Sequence, residues 1–135
     1  MQGKDMSYQF KNIELSKITV IGAGNIGPDI CLHFAKVFAA DGVKLVLVDI
    51  ADAALESAKA RIEKKIANGV DAQAFRAELA KKMLESIAYT SNYNDIAGSS
   101  LVLEAATEDE RIKDAIFKQV DEICDAEAIF MSNSS

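Results

Sequence analysis

The chain has 135 residues, the length of one ordinary domain, and 50% of them are hydrophobic. Its formal net charge of −6 argues against nucleic acid or an anionic membrane surface as a partner, because both repel an acidic protein. The sequence has no run of about 18 apolar residues that would mark a membrane span, and its N-terminus lacks the apolar core of a signal peptide. We therefore expect a cytoplasmic protein.

The two cysteines, Cys31 and Cys124, lie in apolar segments with helical spacing. Neither belongs to a Cys-x-x-Cys pair or has histidines nearby, so the sequence predicts no metal site. We expect both to be buried, reduced thiols.

Short apolar strands alternate with amphipathic helices along most of the chain, after an irregular leader expected over residues 1–15. The predicted strands are residues 17–21, 43–48, 87–90, 101–104 and 128–131. The predicted helices are residues 25–40, 52–68 and 71–85, followed by one that opens with a capping box at residues 107–110. This order predicts an α/β domain over residues 16–135, a doubly wound parallel sheet with an inserted αα-hairpin. Asp52 and Gly69 are expected to cap the first helix of that hairpin at its two ends.

A glycine motif joins the first predicted strand to the first predicted helix. Gly22-Ala23-Gly24-Asn25-Ile26-Gly27 matches G-x-G-x-x-G, in which the first glycine allows the tight turn. Gly24 leaves the backbone accessible to a pyrophosphate, and Gly27 lets the helix lie close to the sheet. Free N–H groups at the helix N-terminus attract the phosphates. The motif predicts a dinucleotide site that includes Asn25 and Ile26, and the alternative is a tight turn without a ligand.

Asp49 ends the second predicted strand, where a carboxylate accepts hydrogen bonds from the adenosine ribose hydroxyls and repels a 2′-phosphate. No arginine directly follows it, so we expect NAD rather than NADP as the cofactor. The alternative role for Asp49 is that of a helix-capping or turn carboxylate. Asp29, in the first turn of the first helix, is expected to face away from the phosphates.

Four segments together resemble the N-terminal NAD-binding domain of the 3-hydroxyacyl-CoA dehydrogenase family, over about residues 16–135. They are residues 18–27, 44–58, 101–117 and 128–135. The αα-hairpin is also similar to that family. The resemblance implies a Rossmann-like fold and an oxidoreductase that transfers a hydride between NAD and a (3S)-3-hydroxyacyl-CoA or 3-ketoacyl-CoA, as in fatty acid β-oxidation.

The same resemblance implies roles for individual residues. Glu108 and Lys113 correspond to a pair that contacts the nicotinamide half of the cofactor, and Asn133 and Ser135 to a loop that touches nicotinamide and substrate. Ser134 stands where that loop has threonine. The alternatives are that Glu108 is only an acid of the first helical turn, that Lys113 is a solvated helix lysine, and that Asn133 and Ser135 only belong to a polar terminus.

The catalytic histidine of the family lies downstream of that loop, whereas the one histidine here, His33, lies within the first predicted helix. We therefore expect an incomplete domain with no catalytic residue and no turnover alone. The helical C-terminal domain that it lacks would complete the acyl-CoA site and form a homodimer. The alternatives are a stand-alone dinucleotide-binding module without dehydrogenase activity, or the NAD domain of another 3-hydroxy acid dehydrogenase.

Overall fold

The structure, a computed structural model, describes residues 9–10, 13–14, 16–24, 26–105, 110–124 and 128–132. Its strands are β1 (Gln9–Phe10), β2 (Ile13–Glu14), β3 (Lys17–Ile21), β4 (Lys44–Val48), β5 (Ile87–Thr90), β6 (Leu101–Glu104) and β7 (Ile129–Ser132). Its helices are α1 (Gly27–Phe38), α2 (Asp52–Asp71), α3 (Ala77–Ser86) and α4 (Glu110–Ile123). Short 3₁₀ turns follow α1, at Ala39–Asp41, and β5, at Tyr93–Ile96.

Five strands form one parallel sheet in the order β5-β4-β3-β6-β7. The chain enters at the central strand β3, proceeds to β4 and β5 on one side, and then crosses to β6 and β7 on the other. This reversal leaves a crevice outside the carboxyl ends of β3 and β6, which is where open α/β sheets bind ligands. The predicted doubly wound parallel sheet is confirmed.

The neighbouring strands β3 and β4 are buried on both faces, which explains their nearly continuous apolar sequence. Successive side chains alternate between faces. On one face, Ile18 and Val20 of β3 and Leu45 and Leu47 of β4 therefore pack beneath α1, α2 and α3. On the other face, Ile21 and Val48 pack beneath α4. Helices thus cover both faces of the sheet, and a ligand can reach it at the carboxyl ends of its strands.

The αα-hairpin is present, but its boundaries differ from those predicted. Gly69 was expected to end the first helix, whereas α2 runs through it to Asp71. A Cβ at Gly69 would lie 2.5 Å from a carbon of the Phe75 ring, so close helix–ring packing explains the glycine. The next helix begins at Ala77 instead of residue 71, and Ala51 rather than Asp52 is the N-cap residue of α2.

Two further elements differ from the prediction. The leader was expected to be irregular, but Gln9–Phe10 pairs antiparallel with Ile13–Glu14. The last strand lies one residue further along than predicted, at Ile129–Ser132. The capping box at residues 107–110 lies outside the described residues except for its last member. In the part of the chain that the structure describes, no helix is both long and apolar enough to cross a membrane.

Candidate dinucleotide-binding site

The glycine turn leaves β3 at its carboxyl end and leads directly into α1. Gly22 adopts φ 109°, a left-handed conformation that residues with a side chain rarely adopt. Its N–H donates to the carbonyl oxygen of Val48 at 2.7 Å, which fastens the start of the turn to β4. The first glycine therefore has the conformational role predicted for it.

Gly24 and Gly27 are required for different reasons. A Cβ on Gly27 would overlap the carbonyl oxygen of Gly22 and lie 2.9 Å from its carbonyl carbon, so α1 approaches the turn too closely for any side chain. A Cβ on Gly24 would meet no atom of the described residues within 4 Å, apart from its chain neighbours, and the residue itself is exposed. Protein packing explains Gly27 but not Gly24. Gly24 leaves its backbone accessible on this side, as a pyrophosphate-binding turn requires.

The N-terminus of α1 is open toward this space. Its N-cap residue, Ile26, has an aliphatic side chain that cannot accept a hydrogen bond, and 52% of Ile26 is exposed. Pro28 lies in the first turn, where its missing N–H removes no helical hydrogen bond. The N–H groups of this turn and the helix dipole can therefore bind an anion.

Asp49 fastens the glycine turn to the end of β4. One carboxylate oxygen accepts from the N–H of Ala23 at 2.8 Å, and the other accepts from the N–H of Ala51 at 2.8 Å. The turn-carboxylate role is thus present. Each oxygen retains a second lone pair, and Asp49 is only half-buried, so it can also accept hydrogen bonds from ribose hydroxyls.

A cleft of about 770 Å³ opens between Asp49 and α4. Ile50 and Ile112 are apolar side chains of this cleft and are 81% and 48% exposed. Its other lining residues are Ile21, Gly22, Val48, Tyr93, Arg111, Ala115, Ile116 and Gln119. Mostly apolar walls with a few polar groups are typical of a site for a flat nucleotide base beside a ribose.

The side chains that α4 contributes to this cleft were missed by sequence reasoning. Ile112 lies on the apolar stripe of its helix, but it is half-exposed and lines the cleft. Residues 112, 115, 116 and 119 share one helical stripe, and this periodicity was the available signal. Tyr93 reaches the cleft from the 3₁₀ turn after β5. Burial, followed by the charges of Asp49 and Glu104, raises the pKa of its phenol.

The family described as "3-hydroxyacyl-CoA dehydrogenase, NAD binding domain" matches residues 17–135. The chain belongs to this family. Its cofactor is accordingly NAD, and the glycine turn, Asp49 and the cleft are the parts of this NAD-binding domain that suit a dinucleotide.

Individual relatives agree with this assignment. The domain is 31% identical over 122 residues to "3-hydroxybutyryl-CoA dehydrogenase" of Mycobacterium tuberculosis, covering 90% of this chain and 41% of that protein. It is 35% identical over 131 residues to human "Hydroxyacyl-coenzyme A dehydrogenase, mitochondrial", covering 93% of this chain and 40% of that protein. The crystal structure of (S)-3-hydroxybutyryl-CoA dehydrogenase from Ralstonia eutropha superposes with a TM-score of 0.79 at 29% identity, over 87% of this chain and 40% of that one. The chain thus spans about 40% of the length of these relatives.

Lys113 lies on the inner face of α4, and only 8% of it is exposed. The alternative of a solvated helix lysine is therefore wrong. Glu104 is fully buried at the carboxyl end of β6, in register with Ile21 of β3 and Ser132 of β7. Charged side chains are rarely buried to this extent unless a partner or a ligand compensates for the lost hydration. The NAD-binding domain thus contains a buried cationic and a buried anionic side chain on the α4 face of its sheet.

Several predicted site residues lie outside the described residues. These are Asn25, Glu108, Asn133, Ser134 and Ser135. The described strand that precedes the last three, β7, ends at Ser132, at the carboxyl edge of the sheet.

Asp29 faces α2 as expected, away from the glycine turn. Its carboxylate accepts from Arg61 at 2.8 Å and from Lys65 at 2.9 Å. The hydrogen bond from Lys65 is the largest influence that lowers the pKa of Asp29. His33 is exposed on α1, with its ring centroid 6.3 Å from that of Phe34.

Both cysteines are buried, and burial raises the pKa of Cys31 to about 12. Among the described residues, no three His, Cys, Asp or Glu side chains lie together in a group that could hold a metal ion.

Proposed function

We propose that this domain is the cofactor half of an NAD-dependent 3-hydroxyacyl-CoA dehydrogenase acting on (3S)-3-hydroxyacyl-CoA and 3-ketoacyl-CoA. The observation that carries the proposal is the open space beside Gly24, next to Asp49, at the switch point of a sheet that belongs to this family. Its relatives include a 3-hydroxybutyryl-CoA dehydrogenase and a hydroxyacyl-CoA dehydrogenase, which supports the substrate class.

The glycine turn and the N-terminus of α1 would bind the pyrophosphate, through backbone N–H groups and the helix dipole. Asp49 would accept hydrogen bonds from the adenosine ribose while it holds the turn through Ala23. Ile50, Ile112 and Tyr93 would contact the faces and edge of the adenine base. These contacts would orient the cofactor across the switch point toward β6 and β7.

Bound NAD would supply the hydride acceptor. On the side of β6 and β7 the resemblance assigns the contacts near the nicotinamide to Glu108, Lys113, Asn133 and Ser135. The burial of Lys113 supports its assignment, because a ligand with oxygen acceptors can compensate a buried ammonium. The residues here would position the cofactor and exclude water. The electrons move on the cofactor itself.

The proton of the substrate hydroxyl requires a base, and His33 is an exposed residue of α1 outside the family's catalytic motif. We therefore propose that the 135-residue chain binds NAD but does not turn over substrate alone. A segment downstream of the loop at residues 133–135 would supply the base, and a C-terminal helical domain would complete the acyl-CoA site and form the homodimer. The working protein would act in the cytoplasm in fatty acid β-oxidation.

Calorimetric titration of the chain with NAD and NADP tests the binding half of this proposal. NAD is expected to bind, and NADP to bind more weakly. Equal or tighter binding of NADP would contradict the role of Asp49. A turnover assay with acetoacetyl-CoA and NADH tests the second half. Steady NADH oxidation by the chain would show that it contains a catalytic base.

A further inference from the structure

Arg111 lies in the first turn of α4 and lines the same cleft as Asp49. The sequence showed no arginine directly after Asp49, so a positive charge near the ribose was not expected there. Packing of α4 over Ile21 and Val48 brings one from a distant segment. Asp49 and Arg111 thus form two walls of one cleft and carry opposite charges.

The two charges act in opposite directions on a cofactor with an additional 2′-phosphate. A carboxylate beside the ribose repels that phosphate, whereas a guanidinium matches the geometry of phosphate oxygens and is always charged. The chain as a whole is acidic, with a net charge of −6, so its general field opposes any anion. Among the described residues that line this cleft, Arg111 is the cationic one.

We propose that Arg111 is a second determinant of cofactor selectivity, so that the preference for NAD over NADP is a balance between Asp49 and Arg111. The proposal rests on the proposed ribose contact of Asp49. Removing Arg111 should weaken NADP binding much more than NAD binding, whereas removing the charge of Asp49 should strengthen NADP binding through Arg111.

The experiment measures Kd for NAD and for NADP by calorimetry in a set of variants of the 135-residue chain. Arg111→Ala removes the charge and Arg111→Lys retains it. Lys118→Ala is the matched control, because Lys118 is an exposed lysine of α4 that is not part of the cleft lining. Asp49→Asn strengthens NADP binding enough to measure it, and its combination with Arg111→Ala tests whether that gain depends on Arg111.

Arg111→Ala is expected to raise the ratio of Kd for NADP to Kd for NAD about tenfold, the effect of one partly exposed charge-assisted contact. Lys118→Ala should leave the ratio unchanged. Arg111→Lys keeps the positive charge, so its ratio should stay close to that of the unmodified chain. Asp49→Asn should lower the ratio, and the double variant should lose the NADP affinity that Asp49→Asn gains.

Equal effects of Arg111→Ala on both ligands, or an effect no larger than that of Lys118→Ala, would overturn the role of Arg111. NADP affinity that persists in the double variant would overturn it too. Failure of the unmodified chain to bind NAD would instead contradict the proposed function.

Discussion

Replacing Gly24 and Gly27 separately distinguishes a glycine required by the ligand from one required by the fold. In the part of the chain that the structure describes, a Cβ at Gly24 meets no atom within 4 Å beyond its chain neighbours, and its φ lies outside the left-handed region. Gly24→Ala and Gly24→Val should therefore change the free energy of unfolding by less than about 1 kcal/mol. A Cβ at Gly27 overlaps the backbone of Gly22. Gly27→Ala should therefore cost about 1–3 kcal/mol through overpacking, which lowers Tm by roughly 4–12 °C.

The effect on binding should follow a different order. A valine side chain at position 24 would project into the space that we assign to the pyrophosphate and displace it from the backbone N–H groups. Loss of one charge-assisted hydrogen bond costs about 1.5–3 kcal/mol, or roughly 10- to 150-fold in Kd. Gly24→Val should lose at least this much NAD affinity while it remains folded, and Gly24→Ala should lie between it and the unmodified chain.

Thermal unfolding followed by circular dichroism gives the stability of each variant, and calorimetric titration gives its affinity for NAD. Gly27→Ala serves as the matched control, since its binding defect should accompany a lower Tm. A folded Gly24→Val variant with unchanged NAD affinity would show that the pyrophosphate does not lie beside Gly24. An unchanged Tm for Gly27→Ala would show that α1 does not pack closely against the turn.

Two further predictions concern stability. The pKa of Asp29 lies below its ordinary value of 3.8, mainly because of Lys65, so its contribution is present above that pH and disappears as the pH falls through the lowered pKa. The Lys65–Asp29 ion pair is half-exposed, so Asp29→Asn should lower the free energy of unfolding by less than about 1 kcal/mol at pH 7 and not at all at strongly acidic pH. A difference in Tm that does not depend on pH would contradict this. Buried Ser99 shares a hydrogen bond of 2.6 Å with Thr19 and donates to the carbonyl of Ile96 at 2.6 Å. Ser99→Ala should cost about 1–3 kcal/mol in urea unfolding and more than Thr19→Val, because it leaves the buried Thr19 hydroxyl without this partner, whereas after Thr19→Val the Ser99 hydroxyl still donates to Ile96; the reverse order would refute this network.

The class of fold was predictable because its signals are local. Strands buried on both faces require runs such as Lys44–Val48, and helices require their own periodicity, so the alternation along the chain predicts a doubly wound sheet. The turn at Gly22 was predictable for a similar reason, since its left-handed φ restricts the residue type at that point.

Helix ends were predicted less well, because tertiary packing overrides local preference. Gly69 has the residue type of a helix terminator, yet the ring of Phe75 packs against it and α2 continues for two more residues. Glycine inside a helix costs about 1 kcal/mol, which such packing can offset.

The sequence by itself determined the element order, the glycine turn and the carboxylate at the end of β4, because each depends on neighbouring residues and on backbone geometry. Only the tertiary structure decided that Asp49 holds the turn through Ala23, that Lys113 is buried, and that Arg111 shares a cleft with Asp49. These contacts join segments far apart in the chain. Asp49 meets Ala23 because β3 pairs with β4, and Lys113 and Arg111 take their positions because α4 packs over Ile21 and Val48. No local pattern of residues encodes these long-range contacts.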